Sequence, residues 1–464
     1  MSQSHHSISC LIKSAAGWLA ALVLVLPHIA ASAETHRIHI HRIASFQPDS
    51  VEIDRKTAGS ATGNHTTGTH ELHVFGKQLR YSLQDNQKIL DTLPANTRHP
   101  QMLQGKLDGN DQSWIRLTRT DTGTHGLIWD GSEMYVVEPG NSIKSELTEA
   151  ADQPASDTVI FRMSDTSVDL GQDYCGSDKS SVQTGHATVP NGLATYQSLT
   201  GELADQAASN TTATLRLEMQ VLADAAFRAE FNSDQEAMDA LMVRMNNIDG
   251  IFNGQLGLEI QASNVQIYDR DPSLLGASND AGALLNSLGQ LRNSSAEMGT
   301  YAVTHLFTGR DLDGDTLGIA YIGNVCNTHY GVGLSEVRDR GAWIDSLVAA
   351  HELGHQLGAV HDGTGACGSS PSQGFLMDAY INGNSAFSQC SKDLIKATMQ
   401  NAACLVPIGD NIAFTSIPAA NAVTESKASG GAGGFTTIWL FVLLGGVIYR
   451  FHQVILASHS NCRN

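Results

Sequence analysis

The sequence predicts an α/β domain that follows a β-rich domain, and three features support this arrangement. Residues 34 to about 170 carry short alternating segments separated by Gly, Asp and Asn, which is the pattern of β-strands. From about residue 214, strand-like and helix-like segments alternate, as they do in layered α/β proteins. Between the two regions, residues 177–212 are polar and rich in Ser, Thr, Gln and Ala, which is typical of an exposed connector.

The composition sets the broad class of protein. The chain has 464 residues, enough for roughly three domains of about 150 residues each. Hydrophobic residues make up 41% of it, so it can fill a sizeable core. Its 47 Asp and Glu residues outnumber its 28 Lys and Arg residues, which gives a formal net charge of −19. Because nucleic-acid binding requires a basic face, this balance argues against a nucleic-acid partner.

Residues 1–33 have the features of a secretory signal peptide. Lys13 supplies the positive charge, Ala15–Leu26 form the apolar stretch, and Ala31–Ala33 form a small-x-small cleavage site before Glu34. The alternative is a membrane anchor, but the apolar run is shorter than the ~20 residues that a span requires. We therefore expect an exported protein.

In the β-rich region, strand-like alternation is clearest in four segments, Arg37–Ile43, Leu72–Phe75, Gln78–Leu83 and Tyr135–Pro139. No cluster of residues in this region looks catalytic. We assign residues 34–190 to the N-terminal domain, 191–408 to the α/β domain and 409–434 to a linker.

The α/β region begins with Leu215–Val221, which alternates like a strand. Ser233 and Glu236 have the spacing of a helix-capping box. Helical spacing follows at Ala237, Leu241, Met245 and Ile248. Further on, the pattern predicts strands at 256–267, 301–307 and 317–322, and a helix at 281–292.

The segment 351–362, HELGHQLGAVHD, carries the predicted chemistry. It continues the helical pattern of residues 343–350, and positions i and i+4 of a helix share one face. His351 and His355 can therefore bind one metal ion, with Glu352 beside it as a general base for an attacking water. Gly358 can adopt the left-handed conformation that ends a helix, which lets His361 return to the same ion. Three neutral nitrogens leave one tetrahedral position open, as in catalytic zinc sites.

A bare His-Glu-x-x-His motif also occurs by chance on solvated helix faces. The combination with Gly358 and His361 in an exported protein favours a zinc site. Zinc is therefore the predicted cofactor.

Seven cysteines bear on disulfide bonding. Cys10 would leave with the signal peptide and Cys462 lies at the extreme C-terminus. In an exported protein an even set is expected to pair, but five remain, Cys175, Cys326, Cys367, Cys390 and Cys404. One thiol is therefore left over, and Cys175 is the candidate because it stands far upstream of the others.

Residues 351–362 resemble the metzincin zinc-protease motif, and the Asp after the third His resembles the reprolysin or adamalysin branch. The resemblance implies a catalytic domain with a mixed sheet and a zinc-site helix. It also implies a methionine turn at Met377, within Gly374–Asp378. Residues 71–139 resemble the propeptide of that family, and residues 306–326 resemble its substrate-binding edge strand, to which a peptide adds as an extra strand. No disintegrin-like region follows Cys404, so integrin binding is not implied.

By the same resemblance, Cys326 would pair with Cys404, and Cys367 with Cys390. Glu218 and Asp311 match side chains that bind a structural calcium ion in some relatives, and oxygen ligands suit calcium. The sequence departs from that calcium pattern, because Leu405 and Val406 follow Cys404 where an Asn is expected.

Tyr174-Cys175-Gly176 resembles the Cys-Gly segment with which many metzincin propeptides block the zinc. A thiolate is a strong zinc ligand, so Cys175 would hold the enzyme latent until the chain is cut between Cys175 and Thr214. Gln172 and Asp173 do not match the usual switch motif. The alternative is a thiol that is free or forms an intermolecular bond.

The C-terminal region contains Gly430–Gly434, then the apolar segment Phe435–Tyr449, then Arg450. It resembles the glycine-rich sorting tails of bacterial surface proteins, which are removed in the membrane, and this would make the source Gram-negative. A permanent single-pass anchor is the alternative for residues 435–464. Either interpretation predicts a protein outside the cytoplasm or at the cell surface.

The sequence thus predicts an exported zinc endopeptidase that is made as a latent zymogen, with proteins as substrates and its own propeptide as inhibitor. The rival hypothesis is a surface-binding module with an inactive protease fold. Inactive relatives commonly lose the general base, whereas Glu352 is present here.

Overall fold

The N-terminal region forms a continuous antiparallel sheet, which we call the β domain. The computed structural model describes residues 35–44, 70–90, 98–148, 158–169, 175–176, 214–338, 341–380 and 383–408. Within them, the sheet has eight strands in the order β2-β9-β8-β7-β6-β5-β4-β3. The strands are β2 (His41–Ile43), β3 (His70–Val74), β4 (Lys77–Asp85), β5 (Gln101–Leu107), β6 (Asn110–Thr120), β7 (Gly123–Trp129), β8 (Met134–Pro139) and β9 (Thr158–Arg162).

Both faces of this sheet are covered. Because side chains alternate along a strand, Ile115 and Leu117 of β6 enter a core that belongs to the β domain alone. Trp114 on the opposite face joins the main core of the chain, as do Val136 of β8 and Phe161 of β9. The β domain is therefore packed against the region that follows it.

The predicted strand at Arg37–Ile43 was wrong as a single element. β1 (Thr35–Ile38) pairs antiparallel with β10 (Thr166–Asp169), whereas β2 pairs with β9 in the large sheet. The two strands separate because Ile38 and His39 donate backbone hydrogen bonds to Glu146 and Asp165. Strict alternation could not reveal that the segment changes sheets.

The α/β region contains a mixed sheet of six strands among the described residues. Its main path is β12-β11-β13-β15-β14, and β16 pairs with the start of β11. β14 is antiparallel to β15 and lies at the edge, while the three inner pairings are parallel. The strands are β11 (Leu215–Ala223), β12 (Leu258–Ile267), β13 (Val303–Thr308), β14 (Gly318–Ala320), β15 (Val332–Glu336) and β16 (Val406–Pro407).

Six α-helices accompany these sheets in the described part of the chain. They are α1 (Gln87–Leu90), α2 (Ala225–Ala229), α3 (Asp234–Leu256), α4 (Ala281–Ser294), α5 (Ala342–Gln356) and α6 (Gln389–Asn401). As predicted, Ser233 caps α3 by accepting from the Glu236 backbone N–H, and Gly257 ends the helix in the left-handed region.

Helices α3 and α5 pack against each other through apolar side chains and one buried ion pair. Arg244 Nη2 of α3 lies 2.6 Å from Asp345 Oδ2 of α5, and both side chains are almost fully enclosed. Asn247 of α3 also donates to the hydroxyl of Ser346 on α5. Since breaking a buried pair leaves an uncompensated charge, these contacts fix α5 relative to α3.

The mixed α/β architecture is as predicted, and the helix predicted at 281–292 ends two residues later, at Ser294. All described residues fall within one compact unit, Met1–Asp410. The predicted signal peptide, the connector and the C-terminal tail lie outside the described residues. Among the residues that are described, no helix has the length and apolar character that a membrane crossing needs.

Candidate metal centre

Helix α5 places two of the predicted histidines one turn apart on the same face. His351 and His355 are both fully buried, and their ring centroids are 4.6 Å apart. The helix ends at Gln356, immediately before the chain turns back.

Gly358 makes that turn. Its φ is +96°, and a Cβ at this position would lie only 2.6 Å from Thr398 Oγ1, so both conformation and space favour glycine. The turn brings His361 beside the other two rings. Its Nε2 lies 3.2 Å from Nε2 of His351 and 3.1 Å from Nε2 of His355.

The backbone fixes which nitrogen of each ring faces the centre of this cluster. Nδ1 of His351 lies 2.6 Å from the Leu376 carbonyl, and Nδ1 of His355 lies 2.8 Å from the Ala359 carbonyl. A carbonyl can only accept, so in the neutral rings Nδ1 carries the proton and Nε2 presents a lone pair. Lone pairs converging at this distance repel one another unless a cation binds them.

The geometry and the electrostatics both suit zinc. Tetrahedral zinc with Zn–N bonds of about 2.0–2.1 Å separates its nitrogen ligands by about 3.3 Å, close to the distances found here. Burial lowers the pKa of His355 to about 3 and that of His351 well below its usual value, and neighbouring imidazoles add to both shifts. The rings of His351 and His355 are therefore neutral, which is the form of imidazole that binds a metal.

Cys175 completes a four-residue group with the histidines. One ligand atom from each of the four residues lies within 4.8 Å of all the others. The Cys175 thiol sulfur is 3.4 Å from His355 Nε2, and the Cys175 backbone forms a parallel bridge with Gly318 of the edge strand β14. The described chain thus brings this thiol beside the ring nitrogens of the three histidines.

Glu352 lies fully buried next to the cluster and against the edge strand. A Cβ on Gly318 would stand 2.6 Å from Glu352 Oε1, so β14 approaches this closely only because residue 318 is glycine. Burial raises the pKa of Glu352 well above its usual value, and the Cys175 thiol opposes that shift. A carboxyl with a raised pKa is suited to accepting a proton during a reaction.

Met377 lies in the segment that contacts both His351 and the residue after His361. It is fully buried, and the preceding carbonyl, that of Leu376, is the one that orients His351. The Met377 carbonyl accepts from the backbone of Asp362, next to His361. A Cβ on Gly354 of α5 would lie 2.7 Å from Met377 Sδ, so the thioether fills the space that this helical glycine leaves.

Ser388 is a supporting residue that the sequence did not predict. Its hydroxyl donates to Asp362 Oδ1 at 2.5 Å and also accepts from the Ser391 backbone at the start of α6. Asp362 follows the third histidine, so this contact joins the metal segment to α6. The only signal in the sequence was a Ser at a plausible N-cap position.

Two disulfides lie in this domain. Cys326 is bonded to Cys404, and Cys367 to Cys390. The first ties the loop after β14 to the end of the domain, and the second ties the segment after His361 to α6. Such cross-links commonly stabilise a fold by about 2–4 kcal/mol each.

The two residues predicted to bind calcium do not form a ligand cluster in the described structure. Asp311 pairs with Arg338, and Glu218 lies on β11, where burial raises its pKa. The cluster of Cys175 with the three histidines is the only group of three or more His, Cys, Asp or Glu ligands found among the described residues. Calcium binding stays a prediction.

Comparison with known proteins points to the same chemistry. Residues 211–390 match the family model Reprolysin_5, metallo-peptidase family M12. A zinc metalloproteinase/disintegrin of Bitis gabonica is 28% identical over 189 residues, which cover 40% of this chain and 57% of that protein. Snake venom metalloproteinase H5 of Deinagkistrodon acutus is 28% identical over 188 residues, 38% of this chain and 44% of that protein.

A longer match extends into the β domain. A disintegrin and metalloproteinase with thrombospondin motifs 1 of Bombyx mori is 25% identical over 366 residues, 74% of this chain and 34% of that protein. The chain thus spans between about a third and just over half the length of these relatives. The matches support a zinc-dependent peptidase of the reprolysin type in residues 211–390, the stretch that contains the three histidines.

Proposed function

We propose that this protein is an exported zinc endopeptidase that is made in a latent form. The observation that carries the proposal is the convergence of three buried imidazoles beside the buried carboxyl of Glu352. In this proposal His351, His355 and His361 hold the metal, and Met377 supports it from below.

When bound, zinc would supply the Lewis acidity that activates a water molecule and polarises the scissile carbonyl. Glu352 takes the proton from the attacking water and passes it to the leaving amine. The edge strand β14 would bind the substrate backbone, because an extended peptide can add to it as a further strand. Gly318 keeps that strand close enough for the bound peptide to reach Glu352.

Replacing the proposed base tests the chemistry. We expect Glu352→Ala to lower kcat/KM on casein or an unfolded protein by about 10²–10⁴-fold, because general-base catalysis contributes that much. Zinc should stay near one ion per chain, since the histidines are untouched. Glu297→Ala, at an exposed position, is the matched control and should keep full activity. Equal activity of Glu352→Ala and the unaltered enzyme would refute the assignment.

The position of Cys175 next to His355 supports the latency part of the proposal. In the uncleaved chain the thiol would take the fourth coordination position and exclude water from the metal. We expect uncut Cys175→Ala to hydrolyse a short fluorogenic peptide that the uncut unaltered chain leaves intact, with both chains checked by mass spectrometry. Equal latency of the two proteins would remove Cys175 from the mechanism.

The predicted signal peptide supports export, and the Gly-rich segment with residues 435–449 supports sorting to, or anchoring at, the surface. We propose protein substrates at that location. Nothing about the metal site favours the rival interpretation as an inactive binding module, because Glu352 and all three histidines are in place.

A further inference from the structure

Strand β6 presents two different faces to two different partners. Ile115 and Leu117 lie in the core that only β-domain residues form, whereas Trp114 and Arg116 point towards helix α3 of the catalytic domain. Trp114 is only 6% exposed and Arg116 only 4%. The side chains that contact α3 are therefore as deeply enclosed as those of a protein core.

Helix α3 receives the Trp114 indole in a slot formed by two glycines one turn apart. A Cβ on Gly250 would lie 2.5 Å from the nearest atom of that indole, and a Cβ on Gly254 would lie 2.4 Å from it. Real side-chain carbons do not approach so closely, so any other residue at these positions would push the ring away. The surface of α3 is thus shaped to this aromatic side chain.

A buried charge lies beside the slot. Asp249 has no exposed surface, and Arg116 Nε lies 2.8 Å from its Oδ2, while Lys88 Nζ lies 3.4 Å from its Oδ1. Both cations belong to the β domain. Burial would raise the pKa of Asp249, but Lys88 and Arg116 outweigh that effect and lower it. Within the catalytic domain, this carboxylate accepts from the backbone of Ile260.

One turn before Asp249, Asn246 is also fully buried. Its amide donates to the Leu117 carbonyl and the Thr118 hydroxyl of β6 at 3.0 Å each, and its oxygen accepts from Asn86 at 2.8 Å. The Asn246 side chain is therefore paired with groups of the β domain through both its nitrogen and its oxygen. Such complementarity is characteristic of specific protein–protein recognition.

These contacts are separate from the contact between Cys175 and the metal site. The docking residues lie on α3, whereas the histidines lie on α5 and in the segment after it. Cys175 precedes the connector that ends before Thr214. A cut inside that connector therefore leaves the thiol covalently attached to the β domain, and the β domain still seated on α3.

We propose that the Gly250–Gly254 slot, with Asp249 and Asn246, is a binding site for the β domain in its own right. It holds the β domain as a dissociable inhibitory subunit after the connector has been cut. Activation then takes two events, cleavage of the connector and removal of the β domain. This inference rests on the proposed function for its inhibitory part, but the binding part stands independently.

The test is to place the recognition sequence of a specific protease within residues 177–213 of the full chain and to cut it there. Size-exclusion chromatography and peptide hydrolysis are then measured on the same sample. We expect the two pieces to co-elute, with less than about a tenth of the activity reached once the β domain is digested away. Immediate separation of the pieces, with full activity, would overturn the proposal.

Gly254→Ala is the diagnostic variant, and Gly282→Ala in helix α4 is its matched control. A Cβ at Gly282 would meet only Asp280 Oδ1, at an ordinary 3.4 Å, so the control gains the same methyl group without a collision. Overpacking of this kind should weaken binding of the cut β domain by about 10–100-fold for Gly254→Ala alone. Equal retention in the two variants would count against the slot.

Trp114→Ala removes the same contact from the opposite side, so the test does not depend on the folding of one variant. The two proposals also fail differently. If no form of the protein hydrolyses any peptide, the protease assignment is wrong, yet co-elution still decides whether the docking site exists. If the cut enzyme is active while the β domain remains bound, docking stands and the inhibitory role does not.

Discussion

Helices α3 and α5 are both deeply buried, but the β domain covers much more of α3 than of α5. The fifteen residues of α5 pack mainly against the mixed sheet, against α3 and against the Met377 segment, and they also meet the β domain at β7 and where Trp343 lies against Phe161. Helix α3 packs against the same domain on one side and against the β domain on the other. Removal of the β domain would therefore uncover one face of α3 and a smaller part of α5.

Each helix also uses glycine to admit a side chain from elsewhere. Gly354 of α5 leaves room for Met377, which belongs to its own domain, whereas Gly250 and Gly254 of α3 leave room for Trp114 of the β domain. In the proposed function, Gly354 supports a metal site that persists after activation, whereas Gly250 and Gly254 support a contact that is lost. Three predictions follow from this contrast, in decreasing order of expected effect.

The largest effect is expected from breaking the buried ion pair between Arg116 of β6 and Asp249 of α3. Arg116→Met removes one partner of Asp249, and we expect it to lower the free energy of unfolding of the intact chain by about 3 kcal/mol, the lower end for a broken buried pair because Lys88 remains. Urea denaturation measures this. Adding Asp249→Asn should restore part of the loss, because the buried charge is then gone. If Arg116→Met alone were as stable as the unaltered chain, the ion pair would not contribute to the free energy of unfolding.

A smaller effect is expected from the matched substitutions Gly354→Ala and Gly254→Ala in the processed enzyme. The new Cβ of Gly354→Ala displaces Met377, and loss of support around a metal typically costs about 10–100-fold in activity or metal affinity. Gly254→Ala should leave kcat/KM within about twofold, because Trp114 has departed and alanine favours the helix. The measurements are kcat/KM and zinc content. If both variants lost kcat/KM equally, a substitution in α3 would disturb the metal site on α5 as much as one in α5 itself.

The smallest effect is expected from pH. The pKa of Asp249 is lowered in the docked state, so its contribution to docking is present above its ordinary value of 3.8 and is lost as the pH falls through the lowered value. Lys88 and Arg116 face it from the β domain, and Glu259 lies beside Lys88. Retention of the cut β domain should thus be constant between about pH 5 and pH 8. If binding of the cut β domain weakened near neutral pH, and did so in Asp249→Asn as well, a group other than Asp249 would be responsible.

The sequence predicted α5 and its surroundings in detail because the chemistry there is local. His351, Glu352 and His355 share a helix, and Gly358 and His361 follow within six residues. The cap at Ser233 could also be predicted from a few neighbouring residues. Each of these depends on backbone geometry that neighbouring residues determine.

The role of α3 could not be predicted in the same way. Asn246 and Asp249 are polar, and a helical pattern assigns such residues to a solvated face. They are buried because Arg116 and Thr118, more than a hundred residues earlier in the chain, meet them. Nor does the sequence around Trp114 indicate that this side chain meets a helix of the other domain. Single-sequence patterns contain no signal for contacts over such distances.

The placement of the two disulfides has a consequence for how latency would depend on dilution. Within the described residues both lie in the catalytic domain, so the β domain is joined to it covalently through the backbone alone. While that backbone is intact, the covalent link keeps the β domain at an effective concentration of the order of millimolar. After a single cut, the bound fraction depends on the actual concentration of the protein. A cut enzyme would therefore stay inhibited at the high concentration near its site of release. It would become active once it is diluted.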